Sequence, residues 1–593
     1  MVFSGSVRSR IRGRAALPVA ARQPIGRWLR ESSGGLLTLA VTIGACAGAG
    51  AIGFHWLITG FTKLLSGHDD YSTAGHAAHP WLPALGPWFV LVVPVLAGLV
   101  YGPLVHRFAP EARGHGVPEV MHAVAQRGGR IPGQVTGVKA IASALCIGAG
   151  GSVGREGPIV QIGSALGSTF GRLTRLAENR LRVLVACGAA GGIAATFNAP
   201  LAGPFFAMEL ILRDFAVESF GAVVLSSVTA SVVGRAVLGN EAFLQLPDFG
   251  LRSPVEYLLF ALLGLLVGGV GVLFSRVLYL IEDACDRVWR GPEWLRPAAG
   301  GLLLGGVLLA LPQVYGVGYP VLQRAVQGGY VFWFLLVLLA GKIFATSLTI
   351  GIGGSGGVFA PSLFIGAMAG TAFGVLVNAW LPDMTAAPGA YGLIGMGAAF
   401  AGAAGAPITA VIVLFELTGQ YTVILPLMTA IVIATLVGRT LSRDTIYTRK
   451  LRRRGIDLDA RSEPRHLADV SIAAVLAPLP EPLAERTELR TVARALALSG
   501  HGMLPVVGAD GQYHGCVTAR AVAESLGDES SSDRTVADLA ELPPLVTRDF
   551  TLTEALDALV DGQGTGLPVL EPGGRALIGW ISHQRVLAAL QNA

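Results

Sequence analysis

Five apolar runs, at residues 36–64, 88–105, 257–280, 331–350 and 412–437, are each long enough to cross a lipid bilayer as a helix. A hydrocarbon core about 30 Å thick needs roughly 20 apolar residues per spanning helix. With 52% hydrophobic and only 14% charged residues over 593 positions, the chain reads as an all-α polytopic membrane protein with a further domain attached. Other apolar runs are shorter and end at glycine or proline. Such broken segments are tolerated at membrane depth only where they are buried in protein or line a wet cavity, which points to a permeation path.

The charges sit at the ends of this apolar region. Arg8, Arg10, Arg12, Arg14, Arg22, Arg27 and Arg30 precede the first run, and Arg449, Lys450, Arg452, Arg453 and Arg454 follow the last. By the positive-inside rule both termini are expected in the cytoplasm, with the protein in the plasma or inner membrane. The short stretch at 15–21 contains Pro18 and is followed by more arginines, so it reads as part of a cytosolic tail at 1–31 and not as a signal peptide. The basic clusters hug membrane entry points, so nucleic acid is not an expected partner. Five scattered cysteines without CxxC spacing indicate neither a metal site nor a disulfide framework.

Two repeats organise the chain. Beyond a linker at 456–466 the composition becomes acidic and mixed, and 467–593 reads as an α+β cytosolic domain with halves near 467–526 and 533–593. Leu504-Pro505-Val506-Val507 and Gly515-Cys516-Val517-Thr518 recur as Leu567-Pro568-Val569-Leu570 and Gly579-Trp580-Ile581-Ser582, 63 to 64 residues later. In the apolar region, spanning 32–455, Pro158 is followed by Gly163 and Gly167, and Pro361 by Gly366 and Gly370 at the same offsets. Asn198-Ala199-Pro200 leads to Glu209, and Gly405-Ala406-Pro407 to Glu416, again at equal distance. Two halves of one ancestor explain this, and repeats with interrupted segments place a binding site at their interface.

The chemistry concentrates in three segments: Gly114-His115-Gly116-Val117-Pro118, Gly154-Arg155-Glu156-Gly157-Pro158 and Gly356-Gly357-Val358-Phe359-Ala360-Pro361. Each has glycines, then a proline, then a helical apolar pattern, as at a helix start. Helix N-termini carry unpaired N–H groups and partial positive charge, and glycines let a ligand approach the backbone. Converging such ends makes an anion site without a full cation, which would cost about 2.5–3.5 kcal/mol at the bilayer centre on insertion scales.

These segments, with Asn198-Ala199-Pro200-Leu201-Ala202-Gly203, resemble the anion-coordinating motifs of the CLC family of chloride channels and proton–chloride antiporters. The resemblance implies a CLC fold over roughly 28–455, a homodimer with one pore per subunit, transport of chloride or a related anion, and no cofactor. It makes Glu156 the gating glutamate, and His115, Gly116, Val117, Arg155, Gly157, Val358, Phe359, Ala360 and Tyr421 anion-site residues. Lys139, seventeen residues before Glu156, matches a family lysine below the path, with a purely structural lysine as the other reading. The C-terminal repeat resembles a tandem pair of CBS domains. Thr518 and Ser582 are its candidate nucleotide contacts, but Ala521 and Arg585 stand where that family usually has a ribose-binding Asp, which argues against adenine nucleotide as a partner.

Two departures bear on function. His115 replaces the serine usual at the central anion site of chloride-selective members, leaving nitrate or fluoride open as alternative substrates. Glu209 matches the first acid of a pair that antiporters use for protons, but the second position is Leu210, which binds no proton. This favours a passive channel, with proton-coupled exchange through Glu156 and Glu209 as the alternative. An enzyme is not expected: Gly351-Ile352-Gly353-Gly354-Ser355-Gly356 satisfies GxGxxG, but no strand–turn–helix unit surrounds it. A magnesium channel would need acidic oxygen ligands along the path, where only one glutamate is present.

Overall fold

The structure is a computed structural model that describes residues 26–30, 32–81, 83–239, 250, 252–458, 472–527, 534–562 and 565–592. Most of the basic tail at 1–31 and of the linker at 456–466 lies outside the described residues. The chain divides into two units, Met1–Asp457 and Leu458–Ala593.

The first unit is helical: α1 (Ser33–Ser66), α2 (Phe89–Phe108), α3 (Val117–Gln126), α4 (Gln134–Gly148), α5 (Glu156–Leu173), α6 (Glu178–Phe197), α7 (Ala202–Phe206), α8 (Val217–Leu238), α9 (Glu256–Val288), α10 (Arg296–Ala310), α11 (Tyr319–Val326), α12 (Phe332–Gly351), α13 (Phe359–Trp380), α14 (Pro388–Ala404), α15 (Pro407–Thr418), α16 (Ile424–Leu441) and α17 (Thr448–Arg453). Among the described residues, eight helical segments are long and apolar enough to cross a membrane, so this is an integral membrane protein of broken and unbroken helices. The run at 412–437 is one of the broken ones. Gly419, at φ 65°, adopts the left-handed conformation that suits glycine and ends α15, so the run divides between α15 and α16.

Helices α1–α8 and α9–α16 repeat each other in order and in packing. α1, α6 and α8 pack mutually, as do α9, α14 and α16; α5 lies on α6 as α13 lies on α14. Paired glycines set the closeness of the last two contacts. A Cβ at Gly163 would overlap the carbonyl oxygen of Gly188, and one at Gly366 that of Gly395. Without a hydrophobic drive between helices in lipid, this close backbone approach supplies the van der Waals contact that holds them.

The second unit contains two sheets of the same topology. Strands β1 (Leu483–Ala484), β2 (Met503–Val507) and β3 (Tyr513–Thr518) form one, and β4 (Val546–Thr547), β5 (Gly566–Leu570) and β6 (Leu577–Ser582) the other; each has a parallel then an antiparallel pairing. Helices α18 (Leu489–Ser499) and α19 (Ala519–Leu526) belong to the first half, α20 (Leu552–Asp561) and α21 (His583–Asn592) to the second. Met503, Tyr513 and Cys516 of one half share a buried cluster with Leu570 and Trp580 of the other.

The glycine contacts yield a prediction. Gly163→Ala forces a methyl against the Gly188 carbonyl, whereas Gly53→Ala in α1 meets open space. Thermal unfolding of purified protein should find the first variant less stable than the second by about 1–3 kcal/mol; equal midpoints would contradict the close approach of α5 and α6.

Candidate anion site

Four helices begin at one place. Gly116, at φ 85°, turns the chain into α3 with Pro118 in its first turn, and Gly318, at φ 86°, does the same for α11 with Pro320. α5 begins at Glu156 after Arg155, and α13 at Phe359 after Val358. Gly154 and Gly357 exchange backbone hydrogen bonds of 2.7 Å each way, which ties the start of α5 to the start of α13. Gly114 donates to Gly354 at 3.1 Å and accepts from Gly356 at 3.3 Å, adding the approach to α3. A Cβ at Gly157 would overlap the His115 carbonyl oxygen, so the first turn of α5 lies directly on the segment before α3. The three sequence motifs therefore converge, and His115, Val117, Glu156, Val358, Phe359 and Ala360 are all buried.

The Glu156 carboxylate sits among these ends. One oxygen accepts the Tyr319 hydroxyl at 2.5 Å and the other faces the Ala360 N–H at 3.4 Å. It folds back over Gly154, where any Cβ would overlap it. A carboxylate at helix N-termini stands in the place an anion would take. Tyr319 is its partner from α11, and Arg155 packs on the face of that tyrosine, 5.6 Å from the ring centroid. Arg155 also reaches His55 Nδ1 at 3.2 Å and, with His55, Asn198 and Arg235, lines a cavity of about 220 Å³. Phe359 packs against Phe197 and Phe400, with centroids 5.3 and 4.4 Å away.

Buried lysines order the approaches to α3 and α11. Lys139, fully buried, donates to the carbonyls of Ala112 and Gly114 at 2.8 Å each. Lys342 donates to Gly316 at 2.9 Å and Val317 at 3.1 Å. Lys139 lies seventeen residues before Glu156 and Lys342 seventeen before Phe359, equivalent positions of the two repeats. Lys139 thus acts through the loop it braces. The sequence carried a signal for Lys342 and Tyr319 that motif reading missed: Gly316-Val317-Gly318-Tyr319-Pro320 repeats the glycine and proline spacing of Gly114-His115-Gly116-Val117-Pro118.

Two expected residues lie elsewhere. Tyr421 heads a short turn after Gly419 and is 80% exposed, so it does not join the other site residues. Tyr447, 26 residues further on, is by contrast buried, at 1% exposed. The segment before it is held inside by Ile446, which donates to Ala403 at 2.8 Å and accepts the Tyr279 hydroxyl at 2.5 Å. Glu209 lies on a π-helical turn, Ala207–Leu212, and its carboxylate accepts from Ile408 N–H at 3.1 Å and from Thr409 N–H at 2.7 Å, capping α15. Glu416 reciprocally accepts from Leu201 N–H at 2.9 Å and Ala202 N–H at 2.6 Å at the start of α7. Both acids are helix caps across the repeat interface. In the second unit, Thr518 caps α19 by accepting from Ala521 N–H at 3.2 Å, and Ser582 ends β6, 64 residues further on.

The sequence profile of the voltage gated chloride channel family matches residues 97–439, more than half of the chain. The chain belongs to the CLC family. It is 34% identical over 423 residues to a putative ClcB-like chloride channel protein of Ralstonia nicotianae, covering 70% of this chain and 97% of that one. To the H(+)/Cl(-) exchange transporter ClcA of Vibrio cholerae it is 38% identical over 360 residues, covering 59% and 76%. The crystal structure of a slow cyanobacterial Cl-/H+ antiporter matches this CLC chain with a TM-score of 0.64 and 27% identity, over 72% of this chain and 99% of that one.

A Tyr319→Phe substitution keeps the ring against Arg155 and removes the hydroxyl from Glu156. A hydrogen bond to a charged group contributes about 1.5–3 kcal/mol, so the carboxylate should leave its seat more readily and chloride efflux from liposomes at neutral pH should rise about tenfold. An unchanged rate would contradict any influence of the Tyr319 hydroxyl on transport through Glu156.

Proposed function

We propose that this CLC protein exchanges chloride for protons across a cell membrane, with Glu156 as both gate and proton carrier. The observation that carries this reading is the Glu156 carboxylate lodged at the convergent helix starts, held by Tyr319 and facing the Ala360 N–H. In its charged form the carboxylate competes with the permeant anion for the same N–H groups. Protonation removes that attraction, and a chloride ion takes the place. The helix ends favour the charged carboxylate and burial favours the acid, so proton and anion occupancy are coupled at one position.

Leu210 favoured passive conduction, but relatives that bear the name of exchange transporters weigh toward exchange. Glu209, engaged at α15, is not needed as the proton relay in this reading. Chloride is the favoured anion over fluoride or nitrate because the ClcA and ClcB-like relatives carry chloride in their names. The protein acts as a homodimer in the plasma or inner membrane with both termini in the cytoplasm, and the second unit is a regulatory CBS pair. The use of Thr518 as a helix cap and the replacement of the ribose-binding Asp by Ala521 and Arg585 weigh against adenine nucleotide as its ligand.

Liposomes loaded with chloride, with proton uptake recorded at the same time, test the exchange. A fixed proton-to-chloride ratio and uphill chloride movement driven by a pH gradient are expected. Chloride efflux with no proton counterflow would return the protein to the channel reading. In Glu156→Gln, chloride should move without protons and without dependence on external pH; steep pH dependence in that variant would take Glu156 out of the gate.

A further inference from the structure

Arginines collect at one end of the first unit, away from the anion site. Arg27 and Arg30 lie just before α1, Arg127 and Arg130 just after α3, and Arg172 and Arg175 at the end of α5; all six are exposed. Arg180, in the first turn of α6, donates to the Arg30 carbonyl at 2.8 Å and to the Ser32 carbonyl at 3.0 Å, which joins the start of α1 to the start of α6. The loop that carries Arg130 is tied to the same end. Ile131 N–H donates to Ser168 Oγ of α5 at 2.8 Å, and a Cβ at Gly129 would lie 3.3 Å from the backbone of Arg182 in α6.

The charge of this end is nearly all of one sign. Across residues 26–32, 127–131 and 172–182 the sequence sets eight arginines against two acids, Glu31 and Glu178. Glu31 lies outside the described residues, and Glu178 pairs with Arg182. The six exposed arginines take part in no ion pair among the described residues. Apolar side chains stand among them: Leu173 is 75% exposed and Trp28 is 47% exposed. Spanning segments begin directly alongside, at Ser33 and at Glu178. Arginine and tryptophan at the ends of spanning helices lie at the depth of lipid headgroups.

The backbone at Arg175 points the same way. At φ 55° it holds the left-handed conformation that favours glycine. Leu176 N–H donates to the Gly171 carbonyl at 3.0 Å, closing α5 by a motif that usually places glycine where Arg175 stands. An arginine is thus kept, exposed, against the preference of the backbone.

We propose that this end of the protein binds the headgroups of anionic phospholipids, with the arginines on the phosphate and Trp28 and Leu173 against the upper acyl chains. A guanidinium matches a phosphate group with two parallel hydrogen bonds. A lipid, unlike a soluble anion, also covers the exposed apolar side chains. Lipid bound here touches the far end of α5, the helix that begins at Glu156. The surface is independent of whether transport is coupled to protons.

Native mass spectrometry of the purified full-length protein, titrated with phosphatidylglycerol and with phosphatidylcholine, tests this. Phosphatidylglycerol should bind the more tightly. Each arginine near an anionic membrane surface is worth about fivefold in affinity, so Arg175→Gly should weaken phosphatidylglycerol binding about fivefold and Arg130→Gln with Arg175→Gly about 25-fold, while Arg175→Lys keeps it. Glycine relieves the left-handed backbone, so the thermal midpoint of lipid-free Arg175→Gly should equal or exceed that of the wild type, which separates lost binding from lost folding. Equal affinity for the two lipids, or unchanged phosphatidylglycerol affinity in the double variant, would overturn the proposal. Displacement of phosphatidylglycerol by millimolar inorganic phosphate would overturn it in favour of a site for free phosphate. Should Arg175→Gly not fold, Arg130→Gln decides: a fivefold loss supports the surface, and unchanged affinity overturns it.

Discussion

The two hydrogen bonds between Gly154 and Gly357 hold the functional core together. They join equivalent positions of the two repeats, so each half contributes one N–H and one C=O to a contact related by a local two-fold. Their effect is to bring the first turns of α5 and α13 side by side. Each helix start carries roughly half a positive charge, and two such ends in contact, away from water, repel unless something negative lies between them. The Glu156 carboxyl lies there in this structure, and in the proposed exchange a permeant anion takes that place when Glu156 is displaced. Only glycine fits here: a Cβ at Gly357 would approach the Gly157 nitrogen to 2.7 Å.

Buried side chains brace the segments around this contact. Lys139 and Lys342 are both buried and both donate to backbone carbonyls, so they brace the approaches to α3 and α11. Two carboxylates of the apolar region have capping duties: Glu209 at α15 and Glu416 at α7. That exchange of caps also locks one repeat to the other, because each acid satisfies backbone donors of the opposite half that lipid cannot. Glu156 is the acid at the helix starts themselves, held by a phenol hydroxyl. A competitor for an anion site must be able to leave it.

Much of this was legible in the sequence because helix starts announce themselves locally. The three glycine–proline motifs predicted convergent N-termini, and they converge; the repeated Gly163/Gly167 and Gly366/Gly370 spacing predicted equivalent packing, and α5 on α6 matches α13 on α14. The strand and helix repeat of the second unit likewise followed from local pattern. What the sequence did not reveal depends on where the chain returns after leaving the apolar region. Tyr447 and Lys450 lie in a charged stretch that resembles a solvated tail, and only their long-range contacts with the segments around Tyr279 and Gly114 show that it turns inward. Tyr421 sits in an apolar context that looks internal, but the left-handed turn at Gly419 carries it to the surface. The capping contact of Glu209 is also invisible in the sequence, because its partner Ile408 lies 199 residues away.

The claim on which the account rests is that Glu156 and the permeant anion occupy one place. Crystals of the wild-type protein and of Glu156→Gln grown in bromide would locate the anion by its anomalous scattering. The account predicts a bromide peak beside the Ala360 N–H and the Tyr319 hydroxyl in the variant, and none at that point in the wild type at alkaline pH. A peak at that point in both proteins, with the Glu156 carboxylate still in place, would contradict it.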